Sequence, residues 1–370
     1  MSRGPRRTGS SPAARGRPLF AGVAGALATL ALVMVLLAGL SLWIYNGAGP
    51  RARSGVSTTV ILRKGAGVAE IGASLRQAGV IRSAPLFLAA AQVTGAARHM
   101  RAGEYAFPSR ASLRDVIARL RRGLVVHHRI TIPEGLSSRQ AVDVLDRSDV
   151  LTGPAPLPPE GSLLPETYEV VRGQSRASLL KRMIDDRERL LATLWASRQP
   201  GLPFADADQA VILASIVEKE TALAAERPHV ASVYINRLRQ GVKLEADPTV
   251  IYGLTSGAGP LGHGLRVSEL AAPGPYNTYL NAGLPPTPID NPGRASLAAV
   301  LDPSSSADLY FVADGGGGHV FARSLAEHEK NVARWRVFEH AQAEHQALAG
   351  APIPPGGGSA ARSFTPLEHR

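Results

Sequence analysis

The run Ala210-Val-Ile-Leu-Ala-Ser-Ile-Val217 contains no charged residue and is followed directly by Glu218-Lys-Glu-Thr221. An uncharged run of this kind predicts an apolar helix that ends in a carboxylate. Because charge removed from water costs free energy, a Glu held against an apolar wall tends to keep its proton. A Glu that is protonated near neutral pH can act as the general acid that glycosidic-bond cleavage needs. The alternative is an amphipathic helix whose last turn has reached solvent.

The composition of the 370-residue chain excludes several classes of protein. The chain contains no Cys, so thiol catalysis, Cys-ligated zinc and disulfides are excluded. Its formal charge of +11 fits an anionic partner such as a lipid head group or a cell-wall polymer. Nucleic acid is not predicted as a partner, because aromatic residues make up only 5% and no basic stripe is interleaved with them.

Residues 19–44 are uncharged and almost wholly apolar. The segment is long enough to span a bilayer, whereas the apolar core of a signal peptide has only about 7–15 residues. Trp43 and Tyr45 at its far end suit a membrane interface, and the five arginines before residue 18 suit the cytoplasmic side. The alternative is cleavage near residues 46–49. We predict a basic cytoplasmic tail (1–18), a single-pass anchor in the inner membrane (19–45) and a periplasmic remainder.

The folded part of the chain is predicted to divide near residue 125. Its first half, residues 57–124, predicts the order strand, helix, helix, strand, which is typical of a small α+β binding module. The predicted elements are a strand at 57–62, helices at Val68–Gln77 and Pro85–Val93, a strand at Glu104–Phe107 and a helix at Ser112–Arg122. Ser112 is a good N-cap for the last of these helices, and Gly123 is a good terminator.

The second half, residues 125–345, predicts a mainly helical α+β domain with short strands. Its predicted elements are a strand at Val125–Ile132, helices at 178–198, 206–218 and 226–240, a hairpin at 310–321 and a closing helix at Ser324–His345. The helix at 226–240 should pack on the helix that ends at Glu218. Residues 241–293 show little periodicity, and a long irregular stretch inside a domain is often a binding site. Residues 349–370 are predicted to be disordered.

Three groups of polar residues are candidates for binding a ligand. Asp247-Pro248 predicts a turn or extended backbone that could aim a carboxylate into a cleft, or else an ordinary Asp-Pro turn. Tyr276-Asn-Thr-Tyr279 offers two aromatic faces, an amide and a hydroxyl, which suit a saccharide, or else forms an internally satisfied loop. Glu166 and Tyr168 follow a Pro-rich loop and could equally form a surface turn.

Metal chemistry and serine-hydrolase chemistry are not predicted. His127 and His128 are adjacent in a strand pattern, so their side chains point in opposite directions. The chain has no His-Glu-x-x-His motif and no Gly-x-Ser-x-Gly elbow. We expect neither a metal site nor a cofactor.

Several motifs taken in order resemble the MltG (YceG-like) endolytic murein transglycosylases. They are Leu213-Ala-Ser-Ile-Val-Glu-Lys-Glu-Thr221, Val233-Tyr-Ile-Asn-Arg-Leu238, Asp247-Pro-Thr-Val-Ile-Tyr-Gly253, Tyr276-Asn-Thr-Tyr279, Gly283-Leu-Pro-Pro286 and Tyr310-Phe-Val-Ala-Asp314, with a Pro-Glu-Thr-Tyr168 motif upstream. The likeness covers roughly residues 19–340 and includes a single N-terminal span. It also implies that residues 57–124 form a LysM-like module before a YceG-like catalytic domain at 125–345.

The resemblance implies cleavage of the MurNAc–GlcNAc β-1,4 bond of peptidoglycan, internally and without water, to leave a 1,6-anhydro-MurNAc end. Glu218 matches the family's catalytic Glu, which can suffice alone because the sugar's own C6 hydroxyl is the nucleophile. We expect five further residues to bind the glycan substrate: Glu166, Asn236, Asp247, Asn277 and Tyr279. Glu245 stands where the family usually has Gln, so no substrate-binding role is carried over to it.

Two rival functions stay open. A hydrolytic muramidase would use Asp247 or Glu166 as a second carboxylate and leave reducing ends. A non-catalytic, membrane-anchored scaffold would bind the cell wall without cutting it. The resemblance further implies a role in ending the growth of nascent glycan strands at the inner membrane, alongside penicillin-binding protein synthases.

Overall fold

The computed structural model describes residues 17–348. The disordered tail predicted for residues 349–370, and most of the basic tail predicted for 1–18, lie outside this range. The chain forms two compact units, one ending at Val126 and the other beginning at His127. Each unit is described by itself below.

The first unit starts with helix α1, Arg17–Asn46. Within the described residues, one helical segment, Gly25–Asn46, is long and apolar enough to cross a membrane. Its apolar side chains lie exposed, including Trp43 at 69%. A helix with apolar side chains exposed along its length needs an apolar environment, so the segment is compatible with the predicted anchor. Its orientation in a membrane stays a prediction.

The remainder of the first unit has the predicted order strand, helix, helix, strand, helix. Its elements are β1 (Ser57–Leu62), α2 (Val68–Gln77), α3 (Ala84–Val93), a 3-10 turn at Ala96–Arg98, β2 (Gly103–Pro108) and α4 (Leu113–Arg122). Strands β1 and β2 pair antiparallel, with Val60 opposite Tyr105. The predicted caps of α4 are confirmed, since the Ser112 hydroxyl accepts from the Asp115 N–H and Gly123 ends the helix with a left-handed φ of 66°.

The second unit begins with a two-stranded sheet. Strand β3 (His127–Thr131) pairs antiparallel with β5 (Thr167–Val171), and Ile130 lies opposite Tyr168. Between these strands come helix α5 (Ser138–Asp146) and strand β4 (Leu151–Thr152), which pairs in parallel with β6 (Gln174–Ser175). The long helix α6 (Arg176–Ala196) follows. Tyr168 is buried in strand β5 and does not lie in a surface turn, whereas Glu166 directly precedes the strand and is exposed.

The helical core of the second unit is built around the opening stretch of sequence. Its elements are α7 (Ala207–Glu220), α8 (Arg227–Gln240), α9 (Asp247–Thr255), α10 (Val267–Leu270), α11 (Arg294–Leu301), β7 (Tyr310–Ala313), β8 (His319–Ala322) and α12 (Leu325–Leu348). The Asp206 carboxylate caps α7, and α8 and α11 both pack on this helix. Val211, Ile216 and Val217 are completely buried, so the predicted apolar helix and its packing on α8 are confirmed.

One expectation for residues 241–293 needs correction, and a helix beyond them was not predicted. Asp247-Pro248 does not form a turn or extended segment but opens helix α9. Pro fits the first turn of a helix because the N–H that it lacks would have no helical partner there, and the extended residue is Ala246, the N-cap that precedes the pair. Helix α11 was not predicted, since its short apolar run follows a Pro-Gly pair and resembles the loop before it.

Candidate active site

The Glu218 side chain lies in the last turn of α7 and is only 5% exposed. Its Oε2 accepts a hydrogen bond from the backbone N–H of Gly293 at 2.8 Å. Its Oε1 lies 3.4 Å from an Nη2 donor of Arg227. The carboxyl is therefore buried and oriented by two donors, so the reading of an ordinary helix end that reaches solvent does not fit this residue.

Helix α11 begins at the residue that holds Glu218. Gly293 is the N-cap of α11, and no side chain of its own caps the helix. The N-terminus of a helix presents unpaired N–H groups and a partial positive charge, which suit an acidic side chain. Glu218 therefore acts as a cap from another helix, and α11 positions it.

A second carboxyl, that of Glu134, lies beside Glu218. Arg227 links the two groups, because its Nη2 is 3.6 Å from Glu134 and 3.4 Å from Glu218. Burial raises the pKa of Glu134, and the charge of Glu218 raises it further. Glu134 also packs directly over Gly293, where a Cβ atom would lie 1.9 Å from the Glu134 Oε1 atom. Sequence reasoning missed Glu134, which lies in the loop between β3 and α5.

A third carboxyl near Glu218 is fully buried. Asp290 has no exposed surface, and neither of its oxygens has a hydrogen-bond partner within the described residues. Burial raises its pKa well above the ordinary value, while Lys219, 4.0 Å away, lowers it and the charge of Glu218 raises it. The Lys219 ammonium donates to the carbonyl of Gly135. Nothing in the irregular stretch Ile289-Asp-Asn-Pro-Gly293 marked Asp290 in advance.

The segment that carries Asp290 and Gly293 is fixed by a polar junction. The Asn291 amide oxygen accepts from the N–H of Leu163 at 2.9 Å, and its nitrogen donates to the carbonyl of Leu136 at 3.0 Å. Glu160 accepts from the Ser138 N–H at 2.6 Å. Burial raises the pKa of the Glu160 carboxyl. The Gly293 backbone that donates to Glu218 therefore follows a segment that is hydrogen-bonded to the loops at Leu136 and Leu163.

Asp247 and Tyr279, two of the predicted binding residues, do come together. The Tyr279 hydroxyl donates to the Asp247 carboxylate at 2.6 Å. The α7 carboxyl next to this pair is Glu220, which accepts from the Tyr234 hydroxyl at 2.7 Å. Burial raises the pKa of Glu220 to about 7, and the charge of Asp247 contributes. Residues two apart on a helix point in nearly opposite directions, so Glu220 and Glu218 belong to different surroundings.

The predicted binding amides of Asn236 and Asn277 bond to backbone. The Asn277 nitrogen donates to the carbonyls of Leu270 and Ala272, both at 2.8 Å, and its oxygen accepts from the Tyr279 N–H. The Asn236 nitrogen donates to two carbonyls at 3.0 and 3.1 Å, those of Ser306 and Asp308. Both amides thus shape their own loops, and their role in substrate binding stays a prediction.

Glu166 is exposed and lines an open groove of about 500 Å³. Three arginines share this groove, namely Arg182, Arg189 and Arg294. One of them, Arg294, directly follows the Gly293 that donates to Glu218. The charge of Glu166 also acts on Glu134. Glu166 therefore lies within electrostatic range of Glu134, the neighbour of Glu218.

Glu245, which departs from the family's usual Gln, accepts from Arg237 at 3.0 Å. The Arg237 side chain is completely buried, and a buried charge needs an opposite charge and hydrogen bonds. Glu245 adopts a left-handed φ of 52°, which is uncommon for a residue with a side chain. Its carboxylate therefore balances a buried cation.

Within residues 17–348, no group of three or more His, Asp or Glu side chains is arranged to hold a metal ion. The fold and the site instead define a class of protein. It is an α+β protein in which a buried Glu is held by a backbone N–H at a helix end and by an arginine, a fixed carboxyl of the kind that acid–base catalysis uses.

The chain belongs to the YceG-like family, whose model matches residues 60–334. It is 29% identical over 310 residues to a Bacillus subtilis protein named endolytic murein transglycosylase, covering 75% of this chain and 84% of that protein. It is 27% identical over 332 residues to a Streptococcus pneumoniae protein of the same name, covering 76% of this chain and 59% of that protein. The crystal structure of a YceG-like protein of Listeria monocytogenes is also similar, with 27% identity, a TM-score of 0.48 and coverage of 75% of this chain and 99% of that chain.

Proposed function

We propose that this protein is an endolytic lytic transglycosylase of peptidoglycan. It cleaves the MurNAc–GlcNAc β-1,4 bond inside a glycan strand and leaves a 1,6-anhydro-MurNAc end. The names of the relatives support action on murein. The single observation that carries the chemistry is the buried Glu218 carboxyl, held by the Gly293 N–H and Arg227.

The reaction needs one carboxyl in two successive roles. Protonated Glu218 gives its proton to the glycosidic oxygen, so the bond to C1 of MurNAc breaks and an oxocarbenium-like centre develops. The C6 hydroxyl of the same sugar then attacks C1, and the Glu218 carboxylate takes the hydroxyl proton. The acid is regenerated, no water enters the product, and no second carboxyl is required.

The surroundings of Glu218 suit this exchange of roles. Arg227 and the Gly293 N–H hold the carboxyl in one place while it loses and regains a proton, which limits the reorganisation needed during the reaction. The groove lined by Glu166 and Arg294 receives the neighbouring part of the glycan. Asp247 and Tyr279, which bond to each other, bind the strand further along.

A muramidase is the second candidate, and one observation favours it. Glu134 supplies a second carboxyl next to Glu218, with Arg227 in contact with both. Hydrolytic glycosidases use two carboxyls, one for the leaving group and one for water or the anomeric carbon. In that reaction Glu134, rather than Asp247 or Glu166, would activate the water.

The proposed location rests on the first helix, which is long and apolar enough to cross a membrane. The apolar segment Gly25–Asn46 anchors the chain in the inner membrane with its N-terminus in the cytoplasm and both folded units in the periplasm. The first unit is a LysM-like module that contacts the cell wall. The protein then works on nascent strands close to the membrane, beside penicillin-binding protein synthases, and ends their elongation.

Digestion of isolated sacculi tests the function. The purified chain should release muropeptides with anhydro ends, and Glu218→Gln should reduce the rate by roughly 10²–10⁴-fold because it cannot donate the proton. Sacculus binding should survive in this variant, since it keeps the shape of the side chain. Binding without any cleavage by the unaltered chain would indicate a scaffold instead of an enzyme.

A further inference from the structure

The first unit carries an arginine-lined groove on helix α4. The groove has a volume of about 410 Å³ and is lined by Ser109, Arg110, Asp115, Arg119, Arg122 and Leu124 among others. Asp115, Arg119 and Arg122 recur at spacings of four and three residues, which place them on one face of the helix. Arg110 reaches the groove from the loop before α4. It adopts a left-handed φ of 64°, so its position is imposed by the surrounding structure.

The groove has a net positive charge that the described residues do not balance. Within residues 17–348, the side chains of Arg110, Arg119 and Arg122 make no hydrogen bond and no ion pair. The one acid in the groove, Asp115, is engaged with the helix cap, because it accepts from the Ser112 hydroxyl at 2.7 Å. Three guanidinium groups around an open groove fit the oxygens of a phosphate group, which arginine binds through paired hydrogen bonds.

The chain itself places this groove next to the end of the membrane-spanning segment. The segment ends at Asn46, and the Gly49 N–H donates to the carbonyl of Arg110 at 3.1 Å. The Arg110 N–H in turn donates to the carbonyl of Pro50 at 2.9 Å. Three residue steps cover at most about 10 Å. The polar layer on each side of a bilayer is about 5–8 Å thick, so the groove lies within reach of the head groups.

From this placement we infer that the groove binds the phosphate of an anionic phospholipid head group. The inference goes beyond glycan cleavage and rests on the proposed anchor in one respect only, the nearness of the bilayer. Basic clusters directly beside a membrane span are suited to anionic lipids. Arg119 and Arg122, together with Arg110, hold the head group and fix the first unit against the membrane surface.

Native mass spectrometry of the full-length chain in detergent tests this inference, with phosphatidylglycerol as the probe and phosphatidylcholine as the neutral comparison. The groove variant is Arg119→Gln with Arg122→Gln. The matched control is Arg114→Gln with Arg121→Gln, which removes the same charge from exposed positions of the same helix that do not line the groove. Thermal unfolding of both variants verifies that the fold is kept.

The unaltered chain and the control variant should retain one phosphatidylglycerol molecule in preference to phosphatidylcholine. The groove variant should bind it about thirtyfold more weakly, since two of the three cations are lost. Equal weakening in both double variants would overturn the inference, because it would reveal only a general attraction to surface charge. Equal binding of phosphatidylcholine would also overturn it. Release of the lipid by millimolar inorganic phosphate would assign the groove to a soluble phosphate. Cleavage of sacculi is measured separately, so failure of the lipid site leaves the proposed enzyme untouched.

Discussion

At the residue scale, two carboxyls that are two positions apart on α7 have different surroundings. Glu218 meets the N-terminus of α11 and Arg227, whereas Glu220 meets the hydroxyl of Tyr234 in a fully buried setting. The apolar run before Glu218 predicted the helix but left open whether its terminal carboxyl is buried or reaches solvent. The partners could not be predicted, because Gly293 and Arg227 approach from segments whose packing no local pattern encodes.

The buried Glu220 predicts a pH-dependent stability. Its pKa is raised from 4.5 to about 7 in the folded chain, so the folded state holds a proton that the unfolded state loses. Folding stability from this group is present below pH 4.5 and is lost as the pH rises to about 7. Gln does not titrate, so Glu220→Gln should not show this loss. The change in the free energy of unfolding that the substitution causes should be more favourable at pH 7.5 than at pH 4 by roughly 3 kcal/mol.

Urea unfolding at the two pH values measures this difference. The comparison is between the change that Glu220→Gln causes at pH 7.5 and the change that it causes at pH 4. An identical effect at both pH values would mean that Glu220 does not titrate differently in the folded and unfolded chain.

At the scale of helices and strands, the sequence predicts an element correctly where the residues of that element set its ends. It does not do so where packing against distant segments sets them. Helix α4 was predicted with both of its ends, because Ser112 and Gly123 supply their own caps. The start of helix α9 was wrongly predicted as a turn or extended segment, because an Asp-Pro pair is compatible both with a turn and with a helix start. Helix α11 has a glycine N-cap without a side chain, and its start is fixed by Glu218 from a distant part of the sequence.

Because α11 starts at Gly293, we expect the stability of the second unit to depend on having glycine at this position. Gly293→Ala should destabilise the second unit by about 1–3 kcal/mol, because the new methyl group would collide with Glu134. Gly259→Ala is the matched control, since nothing lies within 4 Å of its Cβ position. Chemical denaturation of the two variants gives the comparison.

Removing the Glu134 side chain should restore most of the stability that Gly293→Ala loses. When Glu134→Ala is added to Gly293→Ala, most of the lost stability should return relative to Glu134→Ala alone. If the loss persists without the Glu134 side chain, the backbone at the start of α11, and not the collision, determines the requirement for glycine.

At the scale of the whole molecule, one apolar helix and two compact units organise the chain. The long apolar helix, which is compatible with a membrane anchor, was predictable because a long uncharged apolar run has few alternatives. The strand-helix-helix-strand order of the first unit was also predictable, because each element has its own periodicity and breakers. The arginine groove could not be predicted, because it forms only where the loop at Arg110 meets one face of α4.

The membrane orientation can be measured directly because the chain contains no Cys. Single substitutions Ser10→Cys and Ser54→Cys place one thiol on each side of the apolar segment. A membrane-impermeant maleimide added to cells with a permeabilised outer membrane should label Ser54→Cys, and should label Ser10→Cys only after lysis. The reverse pattern would place the folded units in the cytoplasm and exclude them from the cell wall.

The most direct test of the central claim follows the oxygen atom at the new glycan end. Glycan strands are digested with the unaltered chain and with Glu218→Gln in isotopically labelled water, and the products are weighed by mass spectrometry. Attack by the C6 hydroxyl predicts ends that are one water lighter than reducing ends and that carry no label, with no products from Glu218→Gln. Reducing ends that carry one labelled oxygen would contradict the account and identify a muramidase.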